Sequence, residues 1–206
     1  LPFTGVHGKI IWHQWTIRVI YDNVFNILEI QAVGRDISKQ RETERQESVL
    51  RNLGLSLATS SSTEAALNSS LSAAIEISEC QTGAVYLHNR MSGKLTPFLE
   101  QGPYRAALYR FLEDFFKNQN DILLAPGNPV YVSLTDLHQY ETRFSSFAFI
   151  PILRFGDIMG WIILASDNLA EIPFEIRHPL EGVTSQIGNV ISRIEAEEAL
   201  RDALIE

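Results

Sequence analysis

The chain has little of what redox-active or nucleic-acid-binding proteins need. It is 206 residues long and contains one cysteine, Cys80. A single cysteine can form no internal disulfide and no thiolate metal cluster, which suits a reducing compartment. Lys and Arg number 17 against 25 Asp and Glu, for a net charge of −8. Because phosphate recognition needs a basic surface, this balance argues against a nucleic-acid partner.

Long hydrophobic runs are missing as well. The longest, around 147–153 and 158–165, are too short and too interrupted to span a bilayer. No signal-peptide pattern opens the chain. We therefore expect a cytoplasmic location and no membrane contact by this chain. Leu1 lies in what reads as mid-domain sequence, so we expect a fragment of a longer protein.

The usual signatures of catalysis are also missing. The five histidines, at positions 7, 13, 88, 138 and 178, do not have the spacing of a metal site. The sequence has no nucleophile elbow and no phosphate-cradling glycine loop. No catalytic or metal-binding residue is predicted, and the chain is not expected to be an enzyme by itself.

What is present begins with two stretches rich in Ile, Val, Trp and Tyr. Residues 8–22 and 25–36 predict the two strands of a hairpin. An isolated hairpin is marginally stable in water, so its apolar side chains need a covering layer. Two sources of that layer stay open, namely further strands outside this chain or a second copy of it.

A charged segment at 38–48 leads into apolar positions with helical spacing, Val49, Leu50, Leu53 and Leu57. One interpretation is a solvated linker. The interpretation we favour is one strand of a parallel two-helix coiled coil.

The hairpin and the start of this helix resemble the C-terminal end of a PAS sensor domain. Trp12, Trp15 and Arg18 match a W..W..R strand, and the residues from Val33 to Ser38 read V-G-R-D-I-S. Phe25 stands where the family's hairpin turn carries glycine. The resemblance implies that signals leave through the strand-to-helix junction, and it assigns that junction to three residues: Arg35, Asp36 and Ser38.

The rest of the chain predicts a mixed series of helices and strands. Ser61 and Glu64 have the spacing of a capping box at the start of a helix that ends near Ile77. The later elements are strands at 82–88 and 95–100, a helix at 104–118, strands at 129–134, 147–154 and 158–166, and a helix from 179 to 206.

This order resembles a GAF domain over residues 49–195. The segment from Ala148 reads A-F-I-P-I-L, and the segment from Gly156 reads G-D-I-M-G-W-I-I-L-A-S, as in the family's last two strands. The resemblance implies an α+β fold with a central antiparallel sheet, helices packed on it, and long linker helices at both ends. We divide the chain into PAS strands (1–37), a linker (38–48), a GAF domain (49–195) and a second linker (196–206).

Members of the GAF family often hold a small molecule against one face of the sheet. The resemblance suggests eight ligand-pocket candidates: Arg110, Phe111, Phe115, Tyr131, Ser133, Arg143, Phe147 and Phe149. Phe144 and Asp136 lie in the same segments. The inventory suits a mostly apolar site with a few polar groups. The alternative is that the aromatic residues form core and the charged residues form surface.

No particular cofactor is indicated. Cys80 is not followed by histidine, unlike the cysteine that carries bilins in related domains, and the N-K…F…D-E signature of cyclic-nucleotide binders has no counterpart. An axial haem ligand could come only from an isolated histidine such as His88 or His138. The cofactor, if there is one, stays undetermined.

The order of domains resembles a multi-sensor histidine kinase, which implies a two-component system with the kinase domain in the same polypeptide. His178 is a poor phosphoacceptor candidate because Pro179 follows it and disfavours helical geometry. The alternatives are a ligand-free dimerisation module and a regulatory segment of a diguanylate cyclase or a transcription factor. A homodimer is expected through the two linker helices. Its contacts are expected from among six residues, not all of which need contribute because the same faces also cover the sheet: Val49, Leu50, Leu53, Val190, Ile191 and Ile194.

Overall fold

A computed structural model describes residues 2–4, 10–89, 94–118, 127–137 and 142–203. The chain divides into two compact units, Leu1–Ser48 and Val49–Glu206. Within the described residues, no helix has both the length and the apolar character that crossing a membrane requires.

The first unit contains the predicted hairpin, which is confirmed, and one short strand that the sequence did not predict. Strand β1 (Pro2–Thr4) pairs with β2 (Ile10–Tyr21), and β2 pairs with β3 (Ile27–Asp36), all antiparallel. Helix α1 (Ser38–Thr59) follows directly, so it begins in the first unit and ends in the second.

The turn between β2 and β3 is held by the carboxylate of Asp22. One of its oxygens accepts hydrogen bonds from the backbone N–H groups of Asn26 and Val24, at 2.9 and 2.8 Å. These bonds, with one from the Asn26 side chain, lower the pKa of Asp22. Phe25 adopts a φ of +64°, a left-handed conformation that bulky residues rarely take. The turn therefore forms with phenylalanine in the conformation that favours glycine.

One face of the hairpin is apolar and lies open to solvent. Trp15, Ile17 and Val19 stand on it opposite Gly34, Ala32 and Ile30 of β3, and their exposed fractions are 45%, 66% and 36%. A Cβ at Gly34 would lie 3.0 Å from the Trp15 ring, so glycine leaves the indole room to cross the strand.

The second unit is built on a five-stranded antiparallel sheet in the order β5-β4-β8-β7-β6. Its strands confirm the predicted ones with small shifts at their ends. The bounds are β4 (Thr82–His88), β5 (Leu95–Gln101), β6 (Val130–Ser133), β7 (Ser146–Arg154) and β8 (Asp157–Ser166).

Three further helices and a short 3-10 turn complete the unit: α2 (Thr63–Ser78), α3 (Arg105–Asn118), the turn Leu134–Leu137, and α4 (Phe174–Ala203). The N-cap of α2 is Ser62, whose hydroxyl accepts from the Ala65 N–H at 3.2 Å, and not the predicted Ser61. The predicted N-cap was one residue too early. Three consecutive serines at 60–62 can each act as an N-cap, so the sequence did not distinguish between them.

Helix α4 begins five residues earlier than predicted, so His178 is helical and the argument made against its helical geometry was wrong. Pro179 lies in the second turn of the helix. The residue before a proline is biased against helical geometry but is not excluded from it. A proline near the N-terminus of a helix also removes few of its hydrogen bonds.

Each central strand alternates between two apolar layers. In β7, Ala148 and Ile150 pack with α1, α2 and α4, while Phe147 and Phe149 pack with α3. The same period of two continues in β8, where Ile162 joins the first layer. The fold is α+β with a central antiparallel sheet covered on both faces, which confirms the predicted fold class.

The residues expected to form dimer contacts are mostly core residues of this unit. Val49, Leu53, Ile191 and Ile194 are 7%, 3%, 0% and 1% exposed, because they belong to one buried core with residues of α2 and of the sheet. Those four side chains cannot also contact a second copy. Leu50 and Val190, which are half-buried, still reach the surface. The homodimer itself stays a prediction.

Helix α4 crosses the end of β7 at Gly188. A Cβ there would overlap the carbonyl oxygen of Leu153, a backbone atom that cannot rotate away. We expect Gly188→Ala to lower the free energy of unfolding by about 1–3 kcal/mol, as overpacking does.

The matched control is Gly182→Ala in the same helix. Its added Cβ would lie 4.0 Å from the Leu50 side chain, which is an ordinary contact. We therefore expect the free energy of unfolding to rise by about 0.5–1 kcal/mol, because alanine has a higher helix propensity than glycine. Urea unfolding monitored by circular dichroism gives both values. Equal stability of the two variants would contradict the close packing at Gly188.

Candidate functional site

Five of the aromatic side chains near the predicted pocket form one stacked group, which we call the aromatic cluster: Phe111, Phe115, Phe144, Phe147 and Phe149. The rings of Phe111 and Phe147 stack with centroids 4.2 Å apart, and those of Phe115 and Phe149 stack at 5.2 Å. Phe144 meets Phe147 edge-on at 5.6 Å. None of the five is more than 4% exposed.

Helix and strand periodicity place these rings together. Phe111 and Phe115 are four residues apart on α3 and share one side of it, and Phe147 and Phe149 are two residues apart on β7 and share one face. The two pairs meet ring to ring in the layer between α3 and the sheet. Four of the candidate residues therefore lie together and pack against one another.

Tyr131 lies on the other face of the sheet. It is opposite Ala148 in the β6–β7 register, and cross-strand partners share a face, so it faces the layer of α4. Its hydroxyl is 3.4 Å from both the Arg177 carbonyl and a Glu181 carboxylate oxygen, and the Arg177 guanidinium lies 4.6 Å from its ring. Burial, with the Glu181 charge, raises the pKa of Tyr131.

The two candidate arginines occupy different settings. Arg143 lies 3.4 Å from the centroid of the Tyr104 ring and forms an ion pair with Asp167 at 3.2 Å. Tyr104 in turn approaches Phe144 at 6.4 Å, so Arg143 stands at the rim of the aromatic cluster. Arg110 is exposed on α3.

Ser133 and Asp136 form a local cap at the end of β6. The Ser133 N–H and hydroxyl both donate to one Asp136 carboxylate oxygen, at 2.9 and 2.7 Å. These two bonds hold the pKa of Asp136 below its ordinary value. Their role here is to fix the start of the 3-10 turn.

Two of the predicted junction residues, Asp36 and Ser38, join the hairpin to the start of α1 within the first unit. An Asp36 carboxylate oxygen accepts from the Ser38 N–H at 2.8 Å, and the Ser38 hydroxyl oxygen accepts from the Trp12 N–H at 2.8 Å. The Trp12 carbonyl accepts from the Ile37 N–H, also at 2.8 Å. Arg35 is exposed and paired with Gln14 across the ladder.

The sequence did not identify two further members of this junction. Trp12 contributes its N–H, its carbonyl and its ring, and the Arg41 guanidinium lies 4.0 Å over that ring. Trp12 was visible only as part of a strand motif. Its contact with Arg41 depends on how the helix leaves the hairpin, which no local pattern specifies.

An open cleft of about 450 Å³ lies beside the junction, within the first unit. It is lined by His13, Gln14, Trp15, Ile37 and Gln40. The His13 ring meets Trp15 edge-on at 6.1 Å. The lining mixes polar and apolar groups and defines no particular ligand.

The single thiol is poorly suited to react. Cys80 is 4% exposed, and burial raises the pKa of its thiol to about 11, so it is protonated near neutral pH. The thiolate is the reactive form. His88 is exposed on β4, and His138 lies outside the described residues. Among the residues that the structure describes, no three His, Cys, Asp or Glu side chains gather as metal ligands would.

No family model matches this sequence, and no curated protein matches it. Solved structures do match in fold. The GAF domain of a protein described as a sensor histidine kinase from Pseudomonas syringae pv. tomato is 13% identical, with a TM-score of 0.60 over 80% of this chain and 97% of that one. The GAF domain of a phosphoenolpyruvate-protein phosphotransferase from Coxiella burnetii is 15% identical, with a TM-score of 0.61 over 76% and 98%.

An enzyme has the same fold. Free methionine-R-sulfoxide reductase from Neisseria meningitidis is 17% identical, with a TM-score of 0.57 over 74% of this chain and 91% of that one. The second unit therefore has a GAF fold, as the resemblance implied. The neighbours differ in activity, so the fold leaves function to be argued from the residues.

The aromatic cluster should carry much of the stability of the second unit. We expect Phe147→Ala to lower the free energy of unfolding by about 3–5 kcal/mol, because the ring is fully buried between Phe111 and Phe149. Phe155→Ala is the control, since Phe155 is 86% exposed and should change stability little. Chemical denaturation of both variants checks the prediction. Similar losses would show that the rings do not pack as described.

Proposed function

We propose that the chain is a sensory and regulatory module that passes a signal from its first unit through α1 to the GAF-fold unit and out along α4. One observation carries the proposal. Helix α1 is fixed to the hairpin where it starts and is part of a buried core where it ends. Val49, Leu53 and Leu57 belong to the same core as Ile187 and Ile191 of α4.

The contacts of α1 with α4 follow a parallel course. Leu50 lies beside Gly182, Gly54 lies beside Gln186, and the end of α1 at Leu57 lies beside Arg193. The helix that enters the unit thus lies along the helix that continues to residue 203. We infer that a shift or rotation of α1 passes to α4 through these contacts.

The finer parts of the proposal rest on resemblance. The first 37 residues are proposed to be the last strands of a PAS domain, with Arg35, Asp36 and Ser38 at its exit. The output is proposed to be a histidine kinase domain in the same polypeptide, in the cytoplasm. A homodimer through the linker helices would use surface positions such as Leu50 and Val190, since the neighbouring apolar residues are buried.

Ligand binding at the aromatic cluster is the second candidate function. In its favour, Arg143 and Tyr104 place a cation and an aromatic face at the rim of the cluster, which suits a small aromatic anion. Against it, Phe111 and Phe147 stack at 4.2 Å, so a ligand there has to separate them. The packing of the described residues supports a relay that works without a ligand.

Asp36→Ala tests the relay. The substitution removes a carboxylate that accepts a backbone N–H at the start of α1, a loss that typically costs about 1 kcal/mol. If α1 transmits the change, amide hydrogen exchange in α4 should rise at least about twofold around residues 187–194. Exchange mass spectrometry of the whole 206-residue chain measures it.

Asp22→Ala is the matched control for Asp36→Ala. Asp22 also accepts backbone N–H groups in the first unit, but it does so at the hairpin turn and away from α1. Its loss should raise exchange in the turn and leave α4 unchanged. Unchanged α4 exchange in Asp36→Ala, or an equal rise in both variants, would refute transmission through α1.

A thermal-shift titration separates the two candidate functions. We expect benzoate, 4-hydroxybenzoate and nucleotides to leave the melting temperature unchanged, because the rings of the aromatic cluster fill the space between α3 and the sheet. A saturable ligand would stabilise by about 2.7 kcal/mol at a hundredfold excess over Kd. A saturable rise that is absent in Phe111→Leu would establish ligand binding and overturn the ligand-free interpretation.

A further inference from the structure

The last backbone carbonyls of α1 accept hydrogen bonds, and residues of α1 supply only some of the donors. The last turn contains no basic residue. The Ser56 carbonyl accepts from the hydroxyls of Thr59 and Ser60, at 3.1 and 2.8 Å. The Leu57 carbonyl accepts from the Ser60 N–H at 3.3 Å. The final carbonyls of a helix have no partner within it, so further donors have to come from elsewhere.

Arg193 of α4 supplies those donors. Its Nη1 donates to the Ala58 carbonyl at 3.1 Å, and its Nη2 donates to the Leu57 and Ser60 carbonyls at 3.0 and 3.2 Å. A guanidinium suits this position because its planar fork reaches several acceptors at once. Its positive charge also favours the negative end of the α1 dipole.

The turn of α4 that carries Arg193 is anchored to the sheet as well. Glu195, two residues further on, forms an ion pair with Arg154 at the end of β7. Gly188, earlier in the helix, packs against the Leu153 carbonyl. This part of α4 is therefore bonded to α1 through Arg193 and to β7 through Glu195.

We propose that Arg193 is the positioning residue that couples the end of α1 to α4 and sets the register between the two helices. The proposal rests on the relay proposed above and names the residue through which that relay passes. Apolar contacts between α1 and α4 are non-directional and tolerate small displacements. The three Arg193 hydrogen bonds are directional, and a shift of α1 by one helical turn, about 5.4 Å, breaks all of them.

The first arm of the test measures whether Arg193 caps α1. In Arg193→Gln, hydrogen exchange of the amides at 57–61 should rise roughly fivefold, as expected when a helix cap is lost. Arg193→Lys keeps the positive charge but lacks the planar guanidinium, so it should protect these amides better than Arg193→Gln and less well than arginine. Asn189→Ala, one turn earlier on the exposed side of α4, is the control and should leave exchange unchanged. Unchanged exchange in Arg193→Gln would overturn the proposal.

The second arm measures how strongly the start of α1 is coupled to α4. If Arg193 only stabilised the end of α1, its loss would not change that coupling. Asp36→Ala is made in the wild-type and Arg193→Gln backgrounds, and exchange around 187–194 is compared. We expect the effect of Asp36→Ala on α4 to fall at least about twofold without Arg193 and to return in part with Arg193→Lys.

The two proposals fail in different ways. If Asp36→Ala has no effect on α4 even in the wild type, the relay fails, and with it the coupling role of Arg193. If the effect is present and undiminished in Arg193→Gln, the relay stands and passes through other contacts, so the proposal for Arg193 alone is overturned.

Discussion

The constraint on which the second unit depends is that its central strands are apolar on both faces. Ile150 and Ile162 face one side, and Phe147 and Trp161 face the other, so each face needs its own covering layer. Helix α3 covers one face, and α2 and α4 cover the other, where the end of α1 joins the same core. The helices that could serve as linkers are therefore core elements too. A displacement of α1 or α4 has to be accommodated by the packing on the sheet, which makes these helices mechanically connected to everything around them.

Most of this fold could be predicted from the period-two spacing of apolar residues in its strands. Strands β4, β7 and β8 combine period two with apolar side chains, and the structure places them close to the predicted ranges. The start of α4 was missed because Pro179 was taken as a boundary, although the helix had already formed before it. A local signal identifies a terminus only when no longer-range packing overrides it.

The candidate site was predictable only in part, for a related reason. Phe111 and Phe115 share a face by helical spacing alone, whatever the rest of the chain does. The face on which Tyr131 lies depends on the register of the four-residue strand β6 against β7, which the sequence does not specify. Arg193 meets α1 across 135 residues of sequence, and no local pattern marks a cap that is supplied from such a distance.

The solvent-facing side of the hairpin has a practical consequence for experiments on this chain. Trp15, Ile17 and Val19 form an apolar surface on a small sheet whose edge strand, β3, has one free edge within the described residues. Surfaces of this kind adhere to one another with little specificity. Light scattering would therefore detect non-specific association through the hairpin face together with any dimer formed by the helices. Polar substitutions on the hairpin face would remove the non-specific association and leave a specific dimer intact.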